Sequence, residues 1–297
     1  YGGDAGFPAS ALEKGADVVI QSLHKTLPSF TQTALMHVKE GYVDMEILDR
    51  YVHVYQTSSP SYVFMAGIEN CIRYMFEEGS LQMELYRTML KEARSRLTSM
   101  KQLRILTEDV SGRFGVYDID KSKIVISSRG TGMSGSQLDE RLRKRYHLEM
   151  EMCGPDYVTA ITTLADTEEG LNRLCSALLE IDGELSKKLP VNDGLDWKWM
   201  TEEDLKQRMT IGQAMDAARR KVLISGSEGM VSAEFIYVYP PGIPIIAPGE
   251  VLKRQDIELI MKYKELGLPV QGMEDRNGER LYVVDENKAE KQSVSIK

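Results

Sequence analysis

With 297 residues, 42% of them hydrophobic and 28% charged, the chain has the composition of an ordinary soluble globular protein with room for two or three domains. A net charge of −8 and a pI near 5.3 argue against a nucleic-acid surface, and no apolar run approaches the roughly 20 residues of a membrane span. Cys71, Cys153 and Cys175 are too few and too scattered for a disulfide framework or a metal site, which reads as a reducing, cytoplasmic setting.

The first element is a short apolar run, Val18-Val19-Ile20, expected to be a buried strand that ends in the loop Ser22-Leu23-His24-Lys25-Thr26-Leu27-Pro28. A lysine partly withdrawn from water at a strand end has an amine able to attack an aldehyde. Ser22, His24 and Thr26 are flanking donors for a phosphate. A second apolar run, Ala34 to Val38, precedes helical periodicity over Val43 to Val52, then a polar turn, Gln56 to Tyr62, that feeds a helix through Tyr74. Leu81, Leu85, Met89 and Leu97 place an apolar stripe on a long helix that is expected to bridge two domains.

From about Leu103 the pattern changes. Strands are expected at Val116-Tyr117 and Ile124 to Ile126, and Gly130 to Gly135 reads as a helix-entry turn, since it lacks the lysine of a P-loop. Strands are expected again at Glu149 to Cys153 and Val158 to Leu164, and a helix carrying Leu171, Leu174 and Leu178 starts after Asp166. Asp182 to Asp196 reads as a linker, with Trp197 and Trp199 beyond it as candidates to seal a junction. A helix over Ile211 to Lys221, strand material over Val231 to Tyr239, the stiff Tyr239-Pro240-Pro241-Gly242-Ile243-Pro244 segment and a last helix ending near Gly267 complete the chain, with a frayed tail from Lys288.

Three ordered segments carry a family resemblance: Gly15 to Pro28, Thr57-Ser58-Ser59-Pro60-Ser61-Tyr62, and Ala233-Glu234 with Tyr239 to Pro244 and Pro248-Gly249-Glu250. They resemble the lysine loop, the Thr-Ser-Pro-Ser-Tyr segment and the C-terminal signature of the bacterial ornithine/lysine/arginine decarboxylases, in their shorter form. The resemblance implies an α/β chain holding the C-terminal part of an aspartate-aminotransferase-like (fold type I) large domain, an α+β small domain and a C-terminal α+β domain. Their expected bounds are 1–100, including the bridging helix, 101–185 and 186–297.

The resemblance further implies pyridoxal 5'-phosphate as cofactor and the decarboxylation of arginine, lysine or ornithine to a polyamine precursor. Lys25 would hold the cofactor and act as the catalytic residue, Ser22 and His24 would bind its phosphate, and Thr57 would reach the phosphate of a neighbouring subunit in a homodimer or larger homo-oligomer. Glu234 would contact the distal cation of the substrate, against the plainer reading of a solvated strand residue. The family's Asp for the pyridine nitrogen and its ring-stacking His lie in a motif upstream of Tyr1, which Asp4 does not match. The expectation is therefore a portion of a decarboxylase without the N-terminal half of the large domain, not competent alone. Competing readings are an aminotransferase or other lyase of the same fold, with Arg113, Arg129 or another arginine aimed at Lys25, and a non-catalytic remnant or assembly module. His37, His53 and His147 have no ligand spacing, so no metal site is assigned.

Overall fold

The computed structural model describes residues 6–113, 115–185 and 206–286. Asp4, Trp197, Trp199, most of the expected linker and the tail from Lys288 lie outside the described residues. The chain forms two compact units, one of Tyr1–Ser127, Leu142–Met150 and Thr159–Ser186, the other of Ser128–Arg141, Glu151–Val158 and Lys187–Lys297.

In the first unit, β1 (Val18–Ser22) pairs antiparallel with β2 (Ala34–Val38) in a two-stranded sheet, and the one-turn helix α1 (Leu23–Thr26) sits between them in sequence. Lysine 25 is therefore on a helical turn and not in a loop. The expected burial of β1 does not hold, because these two strands pair only with each other, leaving Ile20 75% exposed. α2 (Met45–Tyr55) starts at Asp44, whose carboxylate accepts from Glu46 N and Ile47 N at 3.0 Å each. α3 (Tyr62–Glu77) starts at Ser61 and packs against α4 (Gly79–Leu97). α2 buries no residue and α3 buries Cys71, so their apolar side chains, among them Val54, Tyr55, Tyr62 and Phe76, remain in solvent.

α4 corrects the expected stripe. Besides Gly79 at its start, its buried positions are Tyr86, Leu90, Ala93 and Leu97, spaced by four, three and four residues along one face, while Leu81 and Leu85 are exposed. That face packs on α6 (Glu168–Glu184), which buries Leu171, Leu174, Cys175, Leu178 and Ile181. Each large apolar side chain fully buried here contributes about 1.5–3 kcal/mol. Tyr86 keeps its hydroxyl satisfied by donating to Thr162 O at 2.8 Å, and its ring stacks on Phe7 with centroids 5.4 Å apart.

β3 (Arg104–Ile105), β4 (Lys123–Ser127), β5 (Met152–Cys153) and β6 (Tyr157–Ile161) form a four-stranded sheet in the order β3-β4-β6-β5. Val116-Tyr117 is not a strand. Its backbone is used in a tight turn, with Val116 N donating to Arg113 O and Val116 O accepting from Gly112 N. α5 (Gly135–Tyr146) begins at the glycine-rich turn, where a Cβ on Gly135 would lie 2.2 Å from Gly154 O, so only glycine fits.

In the second unit, α7 (Ile211–Asp216) is shorter than expected and is followed by β7 (Arg219–Leu223), which pairs antiparallel with β11 (Arg280–Val284). Pairing with a strand some 60 residues away overrides the helical propensity of residues 217–221. β8 (Ile236–Val238), β9 (Pro244–Ile246) and β10 (Val270–Gln271) make a sheet in the order β10-β8-β9, and α8 (Arg254–Glu265) packs against β9 and β10. Ile224, Ile236, Ile246, Leu252, Ile260, Leu281 and Val283 form its apolar core.

Candidate active site

The lysine turn is built by hydrogen bonds that converge on Thr33, a residue 2% exposed. Leu23 N donates to Thr33 O at 3.0 Å, and the His24 ring is 3.2 Å from the same carbonyl through Nδ1. The Thr33 hydroxyl reaches Ser29 Oγ at 2.8 Å and Phe30 O at 2.7 Å. Gln32, just before it, holds φ at +78°, a conformation uncommon outside glycine that turns the chain back toward β2. Phe30 lies in turn against α3, where the site of Gly67 Cβ falls 2.6 Å from its ring, and its ring centroid is 6.5 Å from that of Phe64. Neither Thr33 nor Phe30 stood out in the sequence. The available signal was the run Ser29-Phe30-Thr31-Gln32-Thr33, whose hydroxyl residues favour such side-chain-to-backbone turns.

On this frame, Ser22 is the N-cap of α1 and its side chain makes no capping bond. His24 is half-buried, and Lys25 is exposed on the last turn of α1. The expectation of a lysine partly withdrawn from water does not hold in this unit, because β1 lies open. A hydroxyl, an imidazole and a primary amine within four residues match a phosphorylated aldehyde: two groups suited to the phosphate and one nucleophile for the carbonyl. The residues present therefore fit pyridoxal phosphate.

The other expected site residues lie elsewhere. Thr57 is in the exposed connection 56–61, where its Oγ1 accepts from Ser59 N at 3.2 Å. Glu234 belongs to the second unit and is 5% exposed. Its Oε1 accepts from Glu274 N at 2.8 Å and its Oε2 from Tyr282 N at 2.7 Å. The reading of a solvated strand residue is corrected by this burial: the carboxylate braces three separate segments of the C-terminal unit.

Other groups weighed in the sequence have the following surroundings. At the entry to α5, Ser134 N donates to Gln137 Oε1 at 2.9 Å and Gln137 N to Ser134 Oγ at 3.2 Å, so this glycine-rich turn caps a helix with its own side chains. Arg129, weighed above as a carboxylate-binding arginine, lies 4.0 Å from Asp156. Burial pushes the thiols of Cys71 and Cys175 upward, away from the reactive thiolate. No described helix is long and apolar enough to cross a membrane.

Comparison with known proteins agrees with the three sequence segments. Residues 6–117 match the Orn/Lys/Arg decarboxylase major domain, and residues 197–279 match the Orn/Lys/Arg decarboxylase C-terminal domain. The chain is 29% identical over 281 residues to an arginine decarboxylase of Bacillus anthracis and 29% identical over 282 residues to that of Bacillus subtilis, in both cases over 95% of this chain and 57% of the relative. It thus spans a little over half the length of the curated relatives it matches. The solved lysine decarboxylase of Francisella novicida superposes with a TM-score of 0.71 at 18% identity, over 90% of this chain and 48% of that one. The constitutive lysine decarboxylase of Escherichia coli gives 0.67 at 18% identity over 90% and 49%. These likenesses establish a shared fold. With both domain types matched in order along one chain, the protein belongs to the Orn/Lys/Arg decarboxylase family.

Proposed function

We propose that this chain contributes the lysine side of the active site of a pyridoxal phosphate-dependent decarboxylase of a basic amino acid, arginine, lysine or ornithine, yielding carbon dioxide and an amine that is a polyamine precursor. The observation that carries the reading is the Thr33-braced turn, which presents Ser22, His24 and Lys25 together at the end of β1.

The cofactor, when bound, supplies the electron sink for the bond to the departing carboxylate. The chain's own residues do the rest. Ser22 Oγ and the His24 ring would hold the phosphate beside Lys25. Lys25 Nζ would be the nucleophile that anchors the group through its carbonyl, and Lys25 or a neighbouring proton donor would return a proton to the substrate α-carbon. Thr57 Oγ1, which accepts from Ser59 N, still has its own proton to donate to a phosphate held by a second copy. The apolar side chains that α2 and α3 leave in solvent support such a homo-oligomer. The full reaction also requires a carboxylate facing the pyridine nitrogen, which none of the three matched segments supplies.

The test is spectroscopic. Pyridoxal phosphate added to the chain is expected to produce a visible absorbance band that Lys25→Ala abolishes and Ser22→Ala weakens. A band that survives Lys25→Ala overturns the assignment.

A further inference from the structure

We infer that His24 meets the cofactor phosphate as an imidazolium, with Thr33 acting as the positioning residue that makes this so. The inference rests on the reading of the lysine turn as the pyridoxal phosphate site and adds to it the protonation state of one ring.

The Thr33 carbonyl can only accept a hydrogen bond, so the His24 Nδ1 atom 3.2 Å away must carry a proton and donate it. In a neutral imidazole the second nitrogen is then a bare lone pair. Nε2 is that nitrogen, and it makes no hydrogen bond among the described residues. Above its second ionisation, at about pH 6, a phosphate monoester offers acceptor oxygens only, so a lone pair facing it is repulsive and a donor is required. Since Thr33 occupies the Nδ1 proton, the sole way for His24 to donate from Nε2 is to hold a second proton. Phosphate binding at this turn is therefore coupled to protonation of one histidine.

The carbonyl that imposes this is itself fixed. Thr33 is buried, its hydroxyl bridges Ser29 Oγ and Phe30 O, and its carbonyl also receives Leu23 N. The ring thus cannot exchange tautomers without breaking the bond that shapes the turn. The titratable groups on the elements around His24 are Lys25 on α1 itself and His37 on β2, against which α1 packs. Neither is an anion, so on these elements the phosphate is the group that calls for the second proton.

The experiment is nitrogen NMR of the full chain labelled at its four histidines, with His24→Gln identifying the His24 signals. At alkaline pH, the ligand-free chain is expected to show a pyrrole-type Nδ1 and a pyridine-type Nε2 for His24. Saturating pyridoxal phosphate is expected to shift Nε2 to the pyrrole type while Nδ1 stays so. Pyridoxal without its phosphate leaves the pattern unchanged. Thr33→Val, which removes the hydroxyl bridges, is expected to yield a mixture of tautomers in the ligand-free chain, a readout that loss of stability alone does not move. A ligand-free Nε2–H tautomer, or a neutral ring with pyridoxal phosphate bound, overturns the inference and leaves the functional reading intact. No binding of pyridoxal phosphate at all overturns both.

Discussion

Asp182 accepts the backbone N–H of Leu103 at 2.7 Å, and the same carboxylate takes Gln102 N at 2.7 Å and Lys101 N at 2.8 Å. A carboxylate in the last turn of a helix opposes the helix dipole. Its place in α6 is explained by these three donors, which open the segment leading into β3 and have no other partner nearby. Asp182→Ala is expected to cost about 3 kcal/mol, since it strands charged-acceptor hydrogen bonds in a buried site. Asp182→Asn, which keeps one acceptor oxygen, is expected to cost less. Urea unfolding followed by circular dichroism measures both, and equal midpoints for the two variants and the parent chain would remove the brace.

Glu234 makes the corresponding claim in the second unit. Glu234→Gln leaves the geometry but turns one oxygen into a donor against the N–H of Glu274 or Tyr282. A loss of about 1–3 kcal/mol is expected, as for a buried donor left without an acceptor. A carboxylate kept only for a substrate cation has no such cost, so an unchanged melting midpoint argues for the substrate role and against the brace.

Asp120 predicts an acid-sensitive contribution to stability. Burial pushes its carboxyl upward, but Ser122 Oγ at 2.7 Å, Lys123 Nζ at 3.0 Å and Ser122 N at 2.9 Å outweigh it and hold the group below the ordinary value of 3.8. With the folded value below the unfolded one, the stabilisation is fully present above the unfolded value and is lost as pH falls through the folded one. Asp120→Asn should therefore be less stable than the parent near neutral pH, with the gap closing below about pH 4. A gap that stays constant into acid contradicts the linkage.

The cysteines differ in accessibility. Cys71 and Cys175 are 1% and 0% exposed with thiols pushed upward by burial, whereas Cys153 is partly exposed. A thiol reagent is expected to modify one site quickly in the folded chain, Cys153 by peptide mapping, and three in urea. Rapid native labelling of Cys175 would show that the α4–α6 packing opens.

What could be read without a structure depended on local pattern. The run Ala34 to Val38 coincides with β2, and Leu171, Leu174 and Leu178 are buried on α6. Side-chain period and donor type are properties of neighbouring residues, so they survive in the sequence.

What only the tertiary structure decided involves partners far apart along the chain. The inward face of α4 is set by α6, residues 219–223 are a strand because residues 280–284 pair with them, and Asp182 is helical and buried because Leu103 needs an acceptor. At the candidate site the same division holds. Lys25 is a candidate from sequence alone, but Thr33, eight residues on, fixes how His24 is held through a backbone carbonyl, and a carbonyl is common to every residue type. No composition or spacing records which one is used, so that choice belongs to the fold.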